Sequence, residues 1–456
     1  MVHTASADDD ADIRTAGRDW VARRLSTPGG VTATQLVCRP DRLSRVLAAA
    51  SAPEGRSLIA RGGGQGHGDA ALNDGGAVVL TTRLDRMLGF DASSGVLVVE
   101  AGVTVGDILR TFLPRGFALA ACPGSSRTTV GGAIAADVHG LDHARAGSFG
   151  AHVVWLDVVT PRDGLLRVSP AEEAALFDAT VGGMGLTGII ARAAIQLVPV
   201  TSAAIDMRHQ AVGTLDSLVD QLAAAALSHA YASAWIEIGA GVPAQGRGVL
   251  MTADPPLAAD GSRPPSWPTQ ALGALANRTA QLVPGRLHGA WRFRRAHGSG
   301  SQRRLPLGRF LFLAEDAPHD GRRRWLQCAL PADGAVAAIR RLVDIARRGG
   351  GVANARLQAM GSEGRGMLSF ARPGIGLTFE LMPSAATADT MRRLERETLD
   401  RGGRLFLAND SHLTDHGFAA MYPRLAKMRA VLARFDPEFR MQSDLARRLR
   451  LRDYIV

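Results

Sequence analysis

A chain of 456 residues and 48.0 kDa is long enough for two domains, and 46% hydrophobic with 21% charged residues excludes a disordered or fibrous protein. The net charge of +10 brings a nucleic-acid binder to mind, but the only lysine is Lys427 and the arginines are scattered apart from clusters such as Arg322-Arg323-Arg324, which counts against it. A phosphate-bearing substrate, an anionic membrane surface and a plain solvated cationic surface stay open as readings of that charge.

In chain order, residues 5–12 form an acidic stretch expected to be disordered, with no basic-then-apolar leader, and no apolar run has transmembrane length. The expected location is the cytoplasm. Residues 31–37 read as a strand, 42–50 as a helix capped by Asp41, and 57–60 as a short apolar strand. After a glycine-rich loop, 77–81 and 95–100 read as strands, and 105–112 as a helix stopped by Pro114 and Gly116. Residues 153–159 and 165–168 flank Arg162-Asp163-Gly164 as a hairpin, 172–179 suit a helix, and 188–198 suit a buried strand. Beyond residue 200, 215–227 is an amphipathic helix and 231–238 an apolar strand. Segments 325–330, 336–347, 377–381, 391–400 and 405–408 then alternate between strand and helix, the pattern of an antiparallel sheet covered by helices. Residues 254–306, rich in Pro, Gly, Ser and Arg, read as a long loop in the manner of a lid, and 417–449 as a helical tail that packs back on the first domain. Cys38, Cys122 and Cys328 form no CxxC pair and predict neither a disulfide framework nor a zinc site.

Four glycine clusters carry the chemical signal. The first runs from Arg61 through Gly62, Gly63, Gly64, Gln65, Gly66, His67 and Gly68 to Asp69. Consecutive glycines let backbone N–H groups converge on an anion such as phosphate; a flexible turn explains them equally well. The run lacks the Gly-Lys-Ser/Thr of a P-loop, and no clear helix follows it, as a Rossmann fingerprint requires. The second cluster runs from Pro123, Gly124 and Ser125 through Thr128, Thr129, Gly131 and Gly132 to Ala135, followed by His139-Gly140; its small residues permit close approach to a large planar or phosphorylated ligand. The third is Gly147-Ser148-Phe149-Gly150, and the fourth spans 181–190 with Gly185, Gly188 and Ile190. One cluster is ordinary turn chemistry. Four in one domain, each joined to a strand, suit one extended cofactor with a pyrophosphate, a ribityl chain and a flat ring. His67 and His139 lie among them, and each reads either as a base or orienting group for a hydroxyl or as a structural histidine. No Gly-x-Ser-x-Gly elbow supports a hydrolase.

In this order the clusters resemble the PCMH-type FAD-binding domain of the vanillyl-alcohol oxidase superfamily, and within it the decaprenylphosphoryl-ribose oxidase family. The runs 130–140, 146–150 and 179–190 are similar to that family, as are 402–405, Asp410-Ser411, 421–424 and 443–449. The likeness covers most of the chain and is thin between residues 200 and 400. It implies an α+β, two-domain fold: an FAD-binding domain at 12–200, a substrate-binding domain of antiparallel sheet and helices at 201–404, and a segment at 405–456 that returns to the FAD domain. It implies FAD as cofactor and hydride transfer from an alcohol C–H to flavin N5; in the family a ribose hydroxyl becomes a ketone and a separate reductase completes an epimerisation. The FAD contacts it implies are Gly62, Gly63, Gly64, Gln65, Gly66, His67, Pro123, Gly124, Ser125, Thr128, Thr129, Gly131, Gly132, Ala135, His139, Gly147, Ser148, Gly185, Gly188 and Ile190. His139, His67, Gln327 and Asn409 are expected on the substrate side.

The chain departs from the family pattern at informative positions. The family's lysine before the Asp-Ser pair is Asn409 here, a second lysine falls near Gln358, an inhibitor-reactive cysteine near Thr378, and a tyrosine of the first loop at His67. Asn409 carries no charge, so a sugar or glycoside other than decaprenylphosphoryl-ribose is expected, in natural-product or cell-envelope biosynthesis. Gln65 stands where many relatives attach FAD through a histidine, so non-covalent FAD is expected. Two other readings stand beside this one: an alditol or aldonolactone oxidase that makes hydrogen peroxide, and a non-catalytic protein on the same fold. A partner reductase is expected, nucleic acid and metal are not, and membrane association is left open.

Overall fold

The computed structural model describes residues 20–51, 53, 55–238, 246–256, 302–312, 323–349 and 351–452. The acidic stretch at 5–12 and most of the 254–306 segment lie outside the described residues. Two sheets form the first half. The first holds β1 (Val21–Ser26), β2 (Thr32–Cys38), β3 (Leu58–Arg61) and β4 (Ala77–Leu80) in the order β1-β2-β4-β3. The β1–β2 pair is antiparallel; β4 pairs parallel with β2 and β3, which α1 (Leu43–Ser51) makes possible by crossing between them. The second sheet is antiparallel: β5 (Met87–Asp91), β6 (Val96–Glu100), β10 (Ile189–Pro199), β8 (Val153–Thr160) and β9 (Gly164–Val168) in that order, with β7 (Phe117–Leu119) also on β10. The apolar run of β10 suits its place at the centre, where both faces are covered. Short helices punctuate this half: α2 (Val105–Phe112), α3 (Val130–Ala135), α4 (His143–Ala146) and α5 (Ala174–Thr180). The six-residue α3 forms inside the second glycine cluster, because the Thr129 side chain accepts from the Gly132 amide and caps it.

The second half is an eight-stranded antiparallel sheet in the order β14-β11-β13-β12-β16-β17-β15-β18. Its strands are β11 (Ala204–Val212), β12 (Tyr231–Ile236), β13 (Gly248–Asp254), β14 (Arg303–Pro306), β15 (Arg324–Leu330), β16 (Val352–Met360), β17 (Gly374–Leu381) and β18 (Arg404–Leu405). The strand period of two sorts this sheet into faces of opposite character. Leu326, Cys328 and Leu330, Ala355 and Leu357, and Leu377, Phe379 and Leu381 are all buried, and α6 (Leu215–Ser228), α8 (Ala335–Arg348) and α9 (Thr387–Asp400) pack on the sheet; α7 (Leu307–Leu311) follows β14. The other face carries Trp325 and Gln327, Asn354, Arg356 and Gln358, Thr378 and Glu380, and Trp235. Cross-strand pairing sets Gln327, Thr378, Arg356 and Trp235 in one row. β14 lies within the 254–306 stretch expected to be loop; it is an edge strand on β11, held by the Arg304 guanidinium on both Asp206 oxygens at 2.7 and 2.9 Å, a pairing its short, arginine-rich sequence does not announce.

The tail is helical but broken at Pro423 and Pro437 into α10 (Asp415–Met421), α11 (Leu425–Phe435) and α12 (Asp444–Arg448). It returns to the first sheet: the Leu58 amide donates to Arg440 O at 2.7 Å, Gln442 N donates to Leu58 O at 2.9 Å, and the Asp74 amide donates to Asp444 at 2.9 Å. Among the described residues no helix is long and apolar enough to cross a membrane.

Candidate active site

The first two glycine clusters meet at backbone contact. A Cβ on Gly62 would lie 2.0 Å from Thr129 Oγ1, and one on Gly63 would lie 2.2 Å from the Arg127 carbonyl, so no side chain fits between the loops. Gly64 has φ +63 and folds over the Arg61 guanidinium, which donates to Ser26 O at 2.6 Å and whose pKa burial lowers. Gln65 ties the loops together: its Nε2 donates to Gly63 O at 2.8 Å and its Oε1 accepts from Ser125 Oγ at 3.0 Å. No hydrogen bond within the described residues takes up the amides of Gly63, Gly64 and Gly66. Thr128 and Thr129 are buried, and Gly131 rests on Ala101, to whose carbonyl its amide donates at 2.8 Å. The far end of the first loop packs on the residues after β18: the Gly68 amide donates to Ala408 O at 3.0 Å. Arg448 of α12 clamps both segments, with Nε and Nη2 on Asp69 at 2.9 and 2.8 Å and Nη2 also on Asp410 at 2.9 Å.

The turn after α3 delivers His139. Asp137 takes the left-handed conformation, φ 43, and is held there by Gly150 N donating to Oδ1 at 2.8 Å and Ser369 Oγ donating to Oδ2. Two residues later the His139 ring sits against Phe370 and Phe406, at centroid distances of 5.3 and 5.5 Å, and its Nε2 lies 2.7 Å from Gln327 Nε2. Gln327 Oε1 accepts from Asn409 Nδ2 at 3.2 Å. In this orientation the Gln327 amide donates to Nε2, so the imidazole proton resides on Nδ1, which is sealed from solvent and has no partner in the described chain. Burial, then the neighbouring His143 and Arg356, push the His139 pKa down to about 3, so the ring is neutral. His143 is also neutral, pushed down to about 4 by burial: its Nδ1 accepts from Gly361 N at 3.2 Å, which leaves Nε2 to donate to Ser148 Oγ at 3.2 Å.

Three substrate-side expectations, His139, Gln327 and Asn409, thus form one hydrogen-bonded chain, although they come from α3's end, β15 and the turn after β18. His67 stands apart from that chain, stacked on Trp325 at 4.5 Å, two residues from Gln327 on the same strand face. The amide of Gln358 donates to Gly140 O, and Thr378 pairs with Gln327 across β15 and β17. Pro123 and Gly124 lead into the loop that holds Ser125, and Ala135 closes α3. Gly147, φ 72, turns the chain toward Ser148 beside His139. The fourth cluster is buried in packing: Met184 N donates to Ala135 O at 2.8 Å, a Cβ on Gly185 would lie 3.4 Å from Ile59 and one on Gly188 2.4 Å from Val159 O, and Ile190 is a core residue of β10. The polar sheet face, with Arg356, Trp235 and Trp325, was not singled out from the sequence; the alternation in Val352–Met360, with Asn354, Arg356 and Gln358 two apart, is the signal that marks it.

A neighbouring group affects stability rather than chemistry. Asp142 has an Oδ1 without a partner, and burial pushes its carboxyl up to about 7. The folded chain keeps a proton that the unfolded chain releases near pH 4, so this contribution to stability is present below that pH and lost as pH rises to about 7. Asp142→Asn is expected to raise stability at pH 8 by up to about 4 kcal/mol and to change it little at pH 4, read from denaturant midpoints at both pH values. An equal effect at the two pH values contradicts the assignment.

The FAD binding domain family model matches residues 34–169, the span that holds the first three clusters. Decaprenylphosphoryl-β-D-ribose oxidase of Mycolicibacterium smegmatis is 32% identical over 431 residues, covering 90% of this chain and 93% of that protein. The chain belongs to this family of FAD-dependent oxidoreductases. An uncharacterized protein from the mprA 5′ region of Streptomyces coelicolor is 36% identical over 385 residues, 76% of this chain and all 100% of that one. L-galactono-1,4-lactone dehydrogenase 1 of rice (Oryza sativa subsp. japonica) is 29% identical over 167 residues, 36% of this chain and 28% of that one. The family's two-domain α+β fold and its FAD cofactor are therefore those of this chain, and the residues fit the cofactor: two loops too close for side chains, and amides without acceptors among the described residues. Gly62–Gly66 and the 123–135 segment would hold it.

Proposed function

We propose that this family member oxidises a hydroxyl of a sugar or glycoside to a carbonyl. The observation that carries the reading is the His139–Gln327–Asn409 chain, which holds a neutral imidazole N–H between the glycine loops and the polar sheet face. When bound, FAD supplies the acceptor for the hydride at its N5. Asn409 and Gln327 fix the tautomer of His139, and its Nδ1–H donates to the substrate oxygen as that oxygen becomes a carbonyl. Because protonation of the ring is opposed by burial, the role read for His139 is to orient and stabilise the oxygen, while the hydroxyl proton leaves to water. The indole of Trp235 and the amide of Asn354 give the sheet face the mixture of flat apolar and polar groups that sugars bind. The reading extends to a separate reductase that consumes the keto product and completes an epimerisation. Anaerobic mixing with sugars and glycosides tests the reading: one of them should bleach the flavin and yield a product lighter by two hydrogens. A lactone or polyol that alone does so, with peroxide released in air, replaces it by the aldonolactone-oxidase reading, for which the rice relative speaks.

The FAD is held without a covalent bond in this reading. The Gln65 side chain is an amide engaged by Gly63 and Ser125, and His67 lies stacked on Trp325. Acid precipitation should release yellow flavin into the supernatant; flavin retained in the pellet would identify His67 as an attachment site instead.

A further inference from the structure

The lost charge at Asn409 and Gln358 has a counterpart on the same sheet face. Arg356 lies on β16 between Asn354 and Gln358, opposite Trp235 on one side and Thr378 on the other. Its side chain is half-buried, and no hydrogen bond or ion pair to it exists among the described residues. The carboxylate that acts on it is Glu380, whose Oε1 already accepts from Arg323. The imidazole on which Arg356 acts, His139, is neutral. Withdrawing a guanidinium from water is costly unless an anion or several acceptors meet it, and among the described residues no hydrogen bond or ion pair does so.

We propose that Arg356 recognises a singly charged anionic group on the substrate, a carboxylate or a phosphodiester, and so sets substrate choice. This rests on the sugar-oxidation reading of the site. β16 lies two strands from β15, about 10 Å at the usual strand spacing, so a single sugar ring can present a hydroxyl at His139 and a substituent at Arg356. The cation stands across Thr378 and Gln327 from the first glycine loop, whose His67 rests on Trp325 at the other end of the face. That position serves the substrate rather than the cofactor phosphates. Among the described residues no second cation is paired to this guanidinium, so it balances one negative charge, which argues against a phosphate monoester. The geometry suits a carboxylate or phosphodiester, since the planar fork takes two oxygens of one group side by side.

Isothermal titration calorimetry on the flavin-loaded protein tests this with matched probes: methyl glucoside as the neutral member, methyl glucuronide as the carboxylate and a methyl phosphodiester of glucose as the other anion. At least one anion should bind about tenfold or more tighter than the neutral glycoside, and the stronger arm tells carboxylate from phosphodiester. Arg356→Gln should erase that preference, Arg356→Lys should keep part of it, and flavin absorbance per protein should be the same in all three. Equal binding of charged and neutral probes, no binding of either anion, a preference that survives in Arg356→Gln, or flavin lost from that variant would each overturn the assignment. The underlying reading fails separately, if no sugar bleaches the flavin, because calorimetry reports the charge preference whether or not turnover occurs.

Discussion

His139→Ala is expected to slow flavin reduction about 10²- to 10³-fold, the usual cost of deleting one preorganised donor from a reacting oxygen. The expectation follows from position and charge together. Nε2 is already engaged by Gln327, so Nδ1 carries the proton left without a partner, and a ring held neutral by burial serves as a donor across the working pH range. His139→Asn, which keeps a donor, should recover part of the rate. Gln327→Ala should cost less, about tenfold, because it removes only the group that orients the imidazole. The readout is the anaerobic rate of bleaching at saturating substrate, with flavin content measured beside it. A His139→Ala variant that keeps both the rate and the flavin of the parent removes this residue from the site.

Arg448→Ala should be the most damaging single change to the frame of the site, at about 3–5 kcal/mol, because deleting one member of a buried ionic cluster strands the rest. Its guanidinium binds Asp69 with two hydrogen bonds, Asp410 with a third and Leu413 O with a fourth, so removal leaves two carboxylates facing each other where the glycine loop meets the 408–410 turn. The carboxylates draw the Arg448 pKa up against the effect of burial, which marks the pairing as net favourable to the charged form. Urea unfolding of the parent, of Arg448→Ala, and of Arg448→Ala combined with Asp69→Asn and Asp410→Asn separates the ionic part from lost packing. The triple variant should regain part of the loss. A single variant within about 1 kcal/mol of the parent would show that water replaces the guanidinium at no cost.

The sequence discloses the glycine loops because glycine is its own label: runs at 62–68 and 124–132 mark places where side chains are excluded, and the structure shows Thr129 Oγ1 and Arg127 O filling the space a side chain would need. The apolar face of the large sheet is legible in the alternation of β15 and β17. Strand order is not. Asn409 reaches Gln327 because β15, rather than a sequence neighbour, pairs with β18, and Arg356 joins the same row only through the pairing of β16 with β17 and β12. Local pattern carries no record of such long-range choices, and the half-polar sequences of β11, β14 and β16 resemble loop. The dipeptide Arg447-Arg448 likewise shows a basic helix end, not the two carboxylates that one of its members joins.

The visible absorption spectrum of the purified protein, recorded before and after anaerobic addition of sugars and glycosides, tests the account most directly. Two flavin bands, present as isolated or restored by added FAD and bleached by at least one sugar alcohol, are the predicted result. A protein that stays colourless with FAD, or whose bands no member of the panel bleaches, contradicts it.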